Sequence, residues 1–371
     1  MKQYLLSPPH MSGQEQSYID QAFESNWIAP FGPNLVQFEK NLAAYHGVTD
    51  CLATSSGTSA IHLALRLLEV GSGDTVFCSS FTFIASINPA VYLGAQPVFI
   101  DSESLTWGMC PDALEYALEE AKQEGKLPKA IIVVHLYGQS AQIEKLVAIA
   151  QTYNVPIIED AAESLGAEYK GQKLGTFGEF GIFSFNGNKI ITTSGGGALI
   201  GKSAASIGKA RFLSTQAKEN KPYYYHKEIG YNYRMSNVLA GIGIAQLDVL
   251  QERIQKKRAI FEQYQQNFQD VAFMPEIASS FGNRWLTTFT LQRGVQDQQV
   301  QHLAEKGIEV RRLWKPLHTQ PVFTDVPFYK REEKAVSVHL YENGMCLPSG
   351  TIMTTEDVDW ISDQLRKELF N

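Results

Sequence analysis

Between residues 50 and about 215, short apolar runs alternate with segments in which apolar residues recur every three or four positions. The runs Thr75–Cys78, Pro97–Ile100, Ala130–His135, Pro156–Ile158 and Ile182–Ser184 predict strands. The periodic segments Ser59–Leu68, Pro111–Glu124 and Ala141–Tyr153 predict helices between them. AIIVVHLYG and VPIIED are apolar on consecutive residues, as strands covered on both faces are. The alternation predicts an α/β domain around a largely parallel sheet. Such sheets bind ligands beyond the carboxyl ends of their strands, so the residues just after each run are the ones to inspect. From Ser236 to about Phe268 the pattern reads as one helix, strongly charged after Gln251, long enough to bridge two domains. The last hundred residues mix short strands and helices and predict a smaller α+β domain. The expected division is a large domain over 1–250, carrying an N-terminal arm, and a small domain over 251–371.

Composition narrows the classes of function. The chain has 371 residues, 44% of them apolar, and a net charge of −7 with no basic block, which argues against nucleic acid as a partner. Cys51, Cys78, Cys110 and Cys346 are far apart and lack metal-ligand spacing. They read as reduced thiols of a cytoplasmic protein, and no metal site is expected. The start MKQYLLSPPH has no apolar signal-peptide core, and no apolar run approaches the roughly 18–20 residues of a membrane helix, so no membrane association is expected.

The stretch SFNGNKIITTSGGGALIGKS, residues 184–203, offers two chemistries. Its end, GGALIGKS, fits the phosphate-loop pattern and nominates Lys202. Three of the four residues between its glycines, Ala198, Leu199 and Ile200, are apolar and read as a strand where a phosphate cradle belongs. The best acidic partner, in VPIIED, lies upstream of the glycines, whereas magnesium needs an acid on a later strand. Lys202 and Ser203 therefore read as the exposed start of a helix.

The other lysine is Lys189. A lysine that holds pyridoxal phosphate as an imine needs an acid for the pyridine nitrogen, a phosphate cup and an aromatic for the ring. Asp160 ends VPIIED at a strand's carboxyl edge, and alternation turns Glu159 to the opposite face. Gly57, Thr58 and Ser59 stand at the mouth of an apolar-periodic helix, where backbone N–H groups and hydroxyls hold a dianion. Ser184 adds a hydroxyl from another strand end. Phe81 and Phe83, in SSFTFIAS, are both candidates for stacking. Read singly, each of these is as well explained as a capping or core residue. Together they follow successive strands of one sheet.

These residues resemble the DegT family of sugar-nucleotide aminotransferases, which are pyridoxal phosphate enzymes of fold type I. The similarity runs through LSPPHMSGQEQSYIDQAFESNWIAPFGPNLVQFE, SSGTSAIHLALRL, SSFTFIAS, HLYGQ, EDAAESLGA, GTFGEFGIFSFNGNKIITTSGGGALI, GYNYRMSN and WKPLH. The form FNGNKIITTSGGG is similar to the bacillosamine-type enzymes that aminate UDP-4-keto-6-deoxy-N-acetylglucosamine at C4. The resemblance implies an aspartate-aminotransferase-like fold, with Lys189 as the imine lysine and Asp160 as the partner of the pyridine nitrogen. It implies that Glu163 lies near the cofactor's O3′, that Phe83 and not Phe81 stacks on the ring, and that Thr58, Ser59 and Ser184 contact the phosphate. Asn232 matches an asparagine that reaches the phosphate from a neighbouring subunit, which implies a homodimer with shared sites. Trp27, Asn186, Arg234 and His318 match positions near the sugar or nucleotide. L-glutamate is the implied amino donor, with pyridoxamine phosphate left after the first half-reaction. A branch of the family with histidine in place of the lysine removes a hydroxyl instead. Here the residue is Lys189, so transamination is expected.

Overall fold

The computed structural model describes residues 2–370. Its centre is an eight-stranded sheet in the order Cys51–Thr54, Gly197–Gly201, Phe180–Ser184, Ile157–Asp160, Ala130–Val134, Thr75–Ser79, Gln96–Ile100 and Phe328–Tyr329. All five strands expected from the apolar runs are present, with ends shifted by one or two residues. Every residue of Ala130–Val134 and Ile157–Asp160 is buried, because helices cover both faces of the sheet. Gly197–Gly201 runs antiparallel to both of its neighbours, and the other neighbouring pairs are parallel. This strand is the apolar stretch within GGALIGKS. Lys202 follows it, exposed, and Ser203 stands just before the helix Ala204–Ser214, so the phosphate-loop spelling lies on a strand and a helix start.

The long helix read over 236–268 is two helices, Asn237–Asp248 and Leu250–Asn267, parted at Val249, whose ψ of 3° breaks the α geometry. The first packs against the N-terminal helices Glu15–Glu24 and Pro33–His46. The second packs against Thr355–Leu369 and a four-stranded antiparallel sheet ordered Ala272–Phe273, Thr287–Thr290, Gly344–Leu347 and Arg311–Arg312. Two segments cross between these units. Residues 4–6 bond to Gly307, Glu309 and Ser349 beside the small sheet, and Phe328–Tyr329 closes the edge of the large one. The cross-tied segments bring the small sheet up to the carboxyl ends of the large one.

Candidate active site

A cavity of about 550 Å³ lies where the carboxyl ends of the large sheet meet the small sheet. Its first side is the mouth of helix Gly57–Leu67. Ser56 caps that helix by accepting from the Ser59 N–H (3.1 Å), and the Ser59 hydroxyl returns to the Ser56 N–H (3.0 Å). The capping box occupies Ser59, and the cavity is lined instead by Ser55, Ser56, Gly57 and Thr58, joined by Ser184. Strand Gly197–Gly201 presses against this mouth. A Cβ on Gly197 would stand 2.4 Å from the Gly57 nitrogen, so only glycine permits the approach.

Asp160 forms another part of the lining, buried, with Oδ2 accepting from the Ser86 hydroxyl (2.7 Å) and Oδ1 from the Ala162 N–H (3.2 Å). Ser86 is held in turn by Thr82 (2.9 Å). Strand alternation sends Glu159 to the other face. There it accepts N–H groups from Gly175, Phe177 and Gly178 and pairs with His135 (2.8 Å). Phe83 is 52% exposed and lines the cavity, whereas Phe81 is 2% exposed and belongs to the core. Phe83 follows a tight loop after its strand, which breaks the alternation that would have paired the two rings.

Lys189 reaches the cavity from the turn after Phe180–Ser184. Its Nζ is 3.6 Å from Glu163 Oε1 and 4.1 Å from the centroid of the Trp285 ring. Burial raises the Glu163 carboxyl above its ordinary range, and the nearby Lys189 charge pulls it back. The Tyr137 N–H donates to Glu163 Oε2 (2.7 Å). Asn186 lines the same cavity.

Four other candidates lie outside this lining. Arg234 is ion-paired with Glu39, so its guanidinium is already engaged. His318 bonds to Ser80 Oγ (2.7 Å) and stacks on Phe328 at 3.6 Å, and burial lowers its pKa. Trp27 is exposed beside Phe31, and Asn232 is exposed in a bridge to Thr215. In the other direction, sequence reasoning passed over Ser86, Trp285, Arg311 and Trp314, all of which line the cavity. Ser86 and Trp314 carried a signal, as the last residue of SSFTFIAS and the first of WKPLH. A second chamber of about 300 Å³ adjoins the cavity, sharing Asn188, Trp285, Arg311 and Trp314 with it.

A family model described as the DegT/DnrJ/EryC1/StrS aminotransferase family matches residues 9–366. The chain belongs to this family. It is a pyridoxal phosphate-dependent sugar aminotransferase of fold type I. Over 361 residues it is 59% identical to EpsN of Bacillus subtilis (strain 168), a protein assigned by inference to the pyridoxal phosphate-dependent aminotransferases, with 96% of this chain and 93% of EpsN covered. It is 34% identical over 369 residues to the GDP-perosamine synthase of Escherichia coli O157:H7, covering 99% of each. Spr1654 of Streptococcus pneumoniae, whose structures include PLP and PMP forms, has a TM-score of 0.89 at 26% identity, over 99% of this chain and 97% of the PMP form.

The lining residues of this sugar aminotransferase fit the cofactor. One cavity combines a hydroxyl-lined helix mouth suited to a dianion, a buried carboxylate suited to a protonated ring nitrogen, an exposed aromatic face and a primary amine. Thr58 and Ser184 supply the hydroxyls of that lining, Asp160 the carboxylate and Phe83 the aromatic face.

Proposed function

We propose that this aminotransferase moves an amino group from L-glutamate to C4 of a UDP-linked 4-keto-6-deoxy-N-acetylhexosamine, giving UDP-4-amino-4,6-dideoxy-N-acetylglucosamine. The observation that carries the catalytic part is the convergence of Lys189, Asp160, Glu163 and Thr58 on one cavity. The choice of sugar rests on the FNGNKIITTSGGG spelling around Lys189.

When bound, pyridoxal phosphate supplies an electron sink for the carbanion formed at the donor Cα. Lys189 would hold the cofactor through its amine. Its amine, when free, would act as general base at the donor Cα and as the proton donor of the return step. Asp160, fixed by Ser86 and the Ala162 N–H, would keep the ring nitrogen protonated. The same two residues then serve the ketosugar in the reverse sense, so both half-reactions use one site and the kinetics are ping-pong. In this reading the enzyme is a homodimer. The exposed Asn232 of one copy completes the neighbour's site, and Trp27 and Asn186 contact the sugar or nucleotide.

The similarity to a GDP-perosamine synthase favours a second reading, in which the acceptor is GDP-linked. The test is incubation with L-glutamate and, in turn, UDP-, GDP- and dTDP-linked 4-keto-6-deoxysugars, with products weighed by mass spectrometry and C4 read by NMR. Amination of the UDP sugar is expected. Selective amination of the GDP sugar replaces the nucleotide assignment, and no amination of any of them overturns the sugar reading.

A further inference from the structure

Trp285 is the side chain that sits beneath the amine of Lys189, and the chain invests heavily in keeping it there. The ring is 2% exposed. Its indole N–H donates to the carbonyl of Asn188 (2.7 Å), the residue just before Lys189. Its backbone N–H donates to Asn283 Oδ1 (2.8 Å), and its carbonyl accepts from Lys257 Nζ (2.8 Å). Asn283 is fully buried, and its Nδ2 donates to the carbonyls of Glu163 (3.0 Å) and Leu165 (2.9 Å). The frame of Trp285 is thus tied to both backbones that flank the amine, those of Asn188 and Glu163. Two features of the backbone serve this arrangement. Arg284 adopts a left-handed φ of +53°, a costly conformation for a side chain of that size. Gly138 has a φ of +89°, and a Cβ there would lie 1.9 Å from Asn283 Oδ1.

An aromatic face attracts an ammonium without directional hydrogen bonds. It neither accepts nor donates a proton, and it excludes water from one side. A carboxylate alone would hold the amine in a fixed hydrogen bond, whereas a ring face leaves its N–H bonds free to turn. We propose that Trp285 is a positioning residue that holds the Lys189 amine, whenever it is not bonded to the cofactor, within reach of the reacting carbon and shielded from solvent. The role in turnover rests on the reading of Lys189 as the catalytic lysine. The contact itself does not.

The test uses the full-length protein stripped of cofactor, so that it reads the amine and not turnover. Acetic anhydride labels the neutral amines, and peptide mass spectrometry follows Lys189 between pH 6 and 10, with exposed Lys202 as the internal reference. Trp285→Leu should label Lys189 about threefold to tenfold faster than the parent at pH 8, with its rate–pH curve displaced to lower pH. Trp285→Phe, which keeps a ring face but loses the indole N–H, should stay within about twofold of the parent. A parental rate in the Leu protein, or a Phe protein as fast as the Leu one, overturns the proposal. Replacing all tryptophans by 5-fluorotryptophan weakens the ring's negative face while preserving its shape, so it tests the point even if Trp285→Leu does not fold. Lys189 labelling should then rise relative to Lys202, and an unchanged ratio overturns the proposal. Were Lys189→Ala to retain the bound cofactor's spectrum, the catalytic reading would fall while these labelling results stood.

Discussion

One wall of the cavity is made of residues that end or follow strands of the large sheet: Ser55 to Thr58, Phe83, Asp160, Ser184, Asn186, Asn188 and Lys189. The other comes from the last third of the chain, as Trp285, Arg311 and Trp314. The first wall is set by topology. A parallel sheet delivers the ends of its strands to one edge, so side chains far apart in sequence meet without needing one another. The second wall is set by long-range packing. Trp285 is held by Asn188, 97 positions away, and by Lys257, which itself reaches Ser7 and Ser349. On the proposed function, chemistry falls to the first wall and positioning to the second.

The sharpest break in that comparison is Asp160→Asn. The amide keeps the shape and the Ser86 contact but cannot hold a proton on a ring nitrogen. Turnover should fall about a hundredfold or more with the melting temperature little changed. Near-parental kcat would remove Asp160 from the mechanism.

A second-wall change should act on stability instead. Burial pushes Lys257 down from 10.5 to about 7. Its amine lies among two carbonyl acceptors, those of Trp285 (2.8 Å) and Ser349 (2.9 Å), and the Ser7 hydroxyl (3.1 Å). The Nζ donates to each of these acceptors, and a neutral amine still supplies the two N–H donors that the carbonyls need. Between pH 7 and 10.5 the unfolded chain binds the proton that the folded one has released, so stability rises with pH across this window. The slope from this one group is about 1.4 kcal/mol per pH unit, and below pH 7 its contribution is flat. Urea unfolding at pH 7, 8 and 9 should show the rise in the parent and a flatter line in Lys257→Met. A rise of equal size in both proteins would assign it to other groups.

The smallest effect is expected at the other lysine of the opening pattern. Lys202 is exposed after its strand, so Lys202→Ala should leave kcat/KM within about twofold of the parent. A large loss would revive a phosphate-binding role for GGALIGKS.

The same division explains what could be read in advance. The meeting of Asp160, Lys189 and Thr58 at one cavity was legible because each ends or follows an apolar run or opens a periodic helix. The antiparallel turn of Gly197–Gly201 was not legible, since apolar alternation carries no direction. Ser59 reads in the sequence both as a cap and as a phosphate ligand because the two use the same residue types, and in the structure it closes the capping box. Arg234 and His318 kept their family positions in the sequence but found local partners in Glu39 and Ser80. Trp285 left no trace, because a buried tryptophan after Asn283 and Arg284 reads as core until Lys189 is seen above it.

The most direct test of the central claim, that the amine of Lys189 carries the chemistry between the two walls, is the visible spectrum of purified Lys189→Ala. The parent, loaded with pyridoxal phosphate, should show the lysine-bound cofactor's absorbance, bleached by L-glutamate. In Lys189→Ala that band should be absent, or replaced by the near-ultraviolet band of bound pyridoxamine phosphate, with turnover lost. A band of parental position and glutamate response in Lys189→Ala would contradict the account.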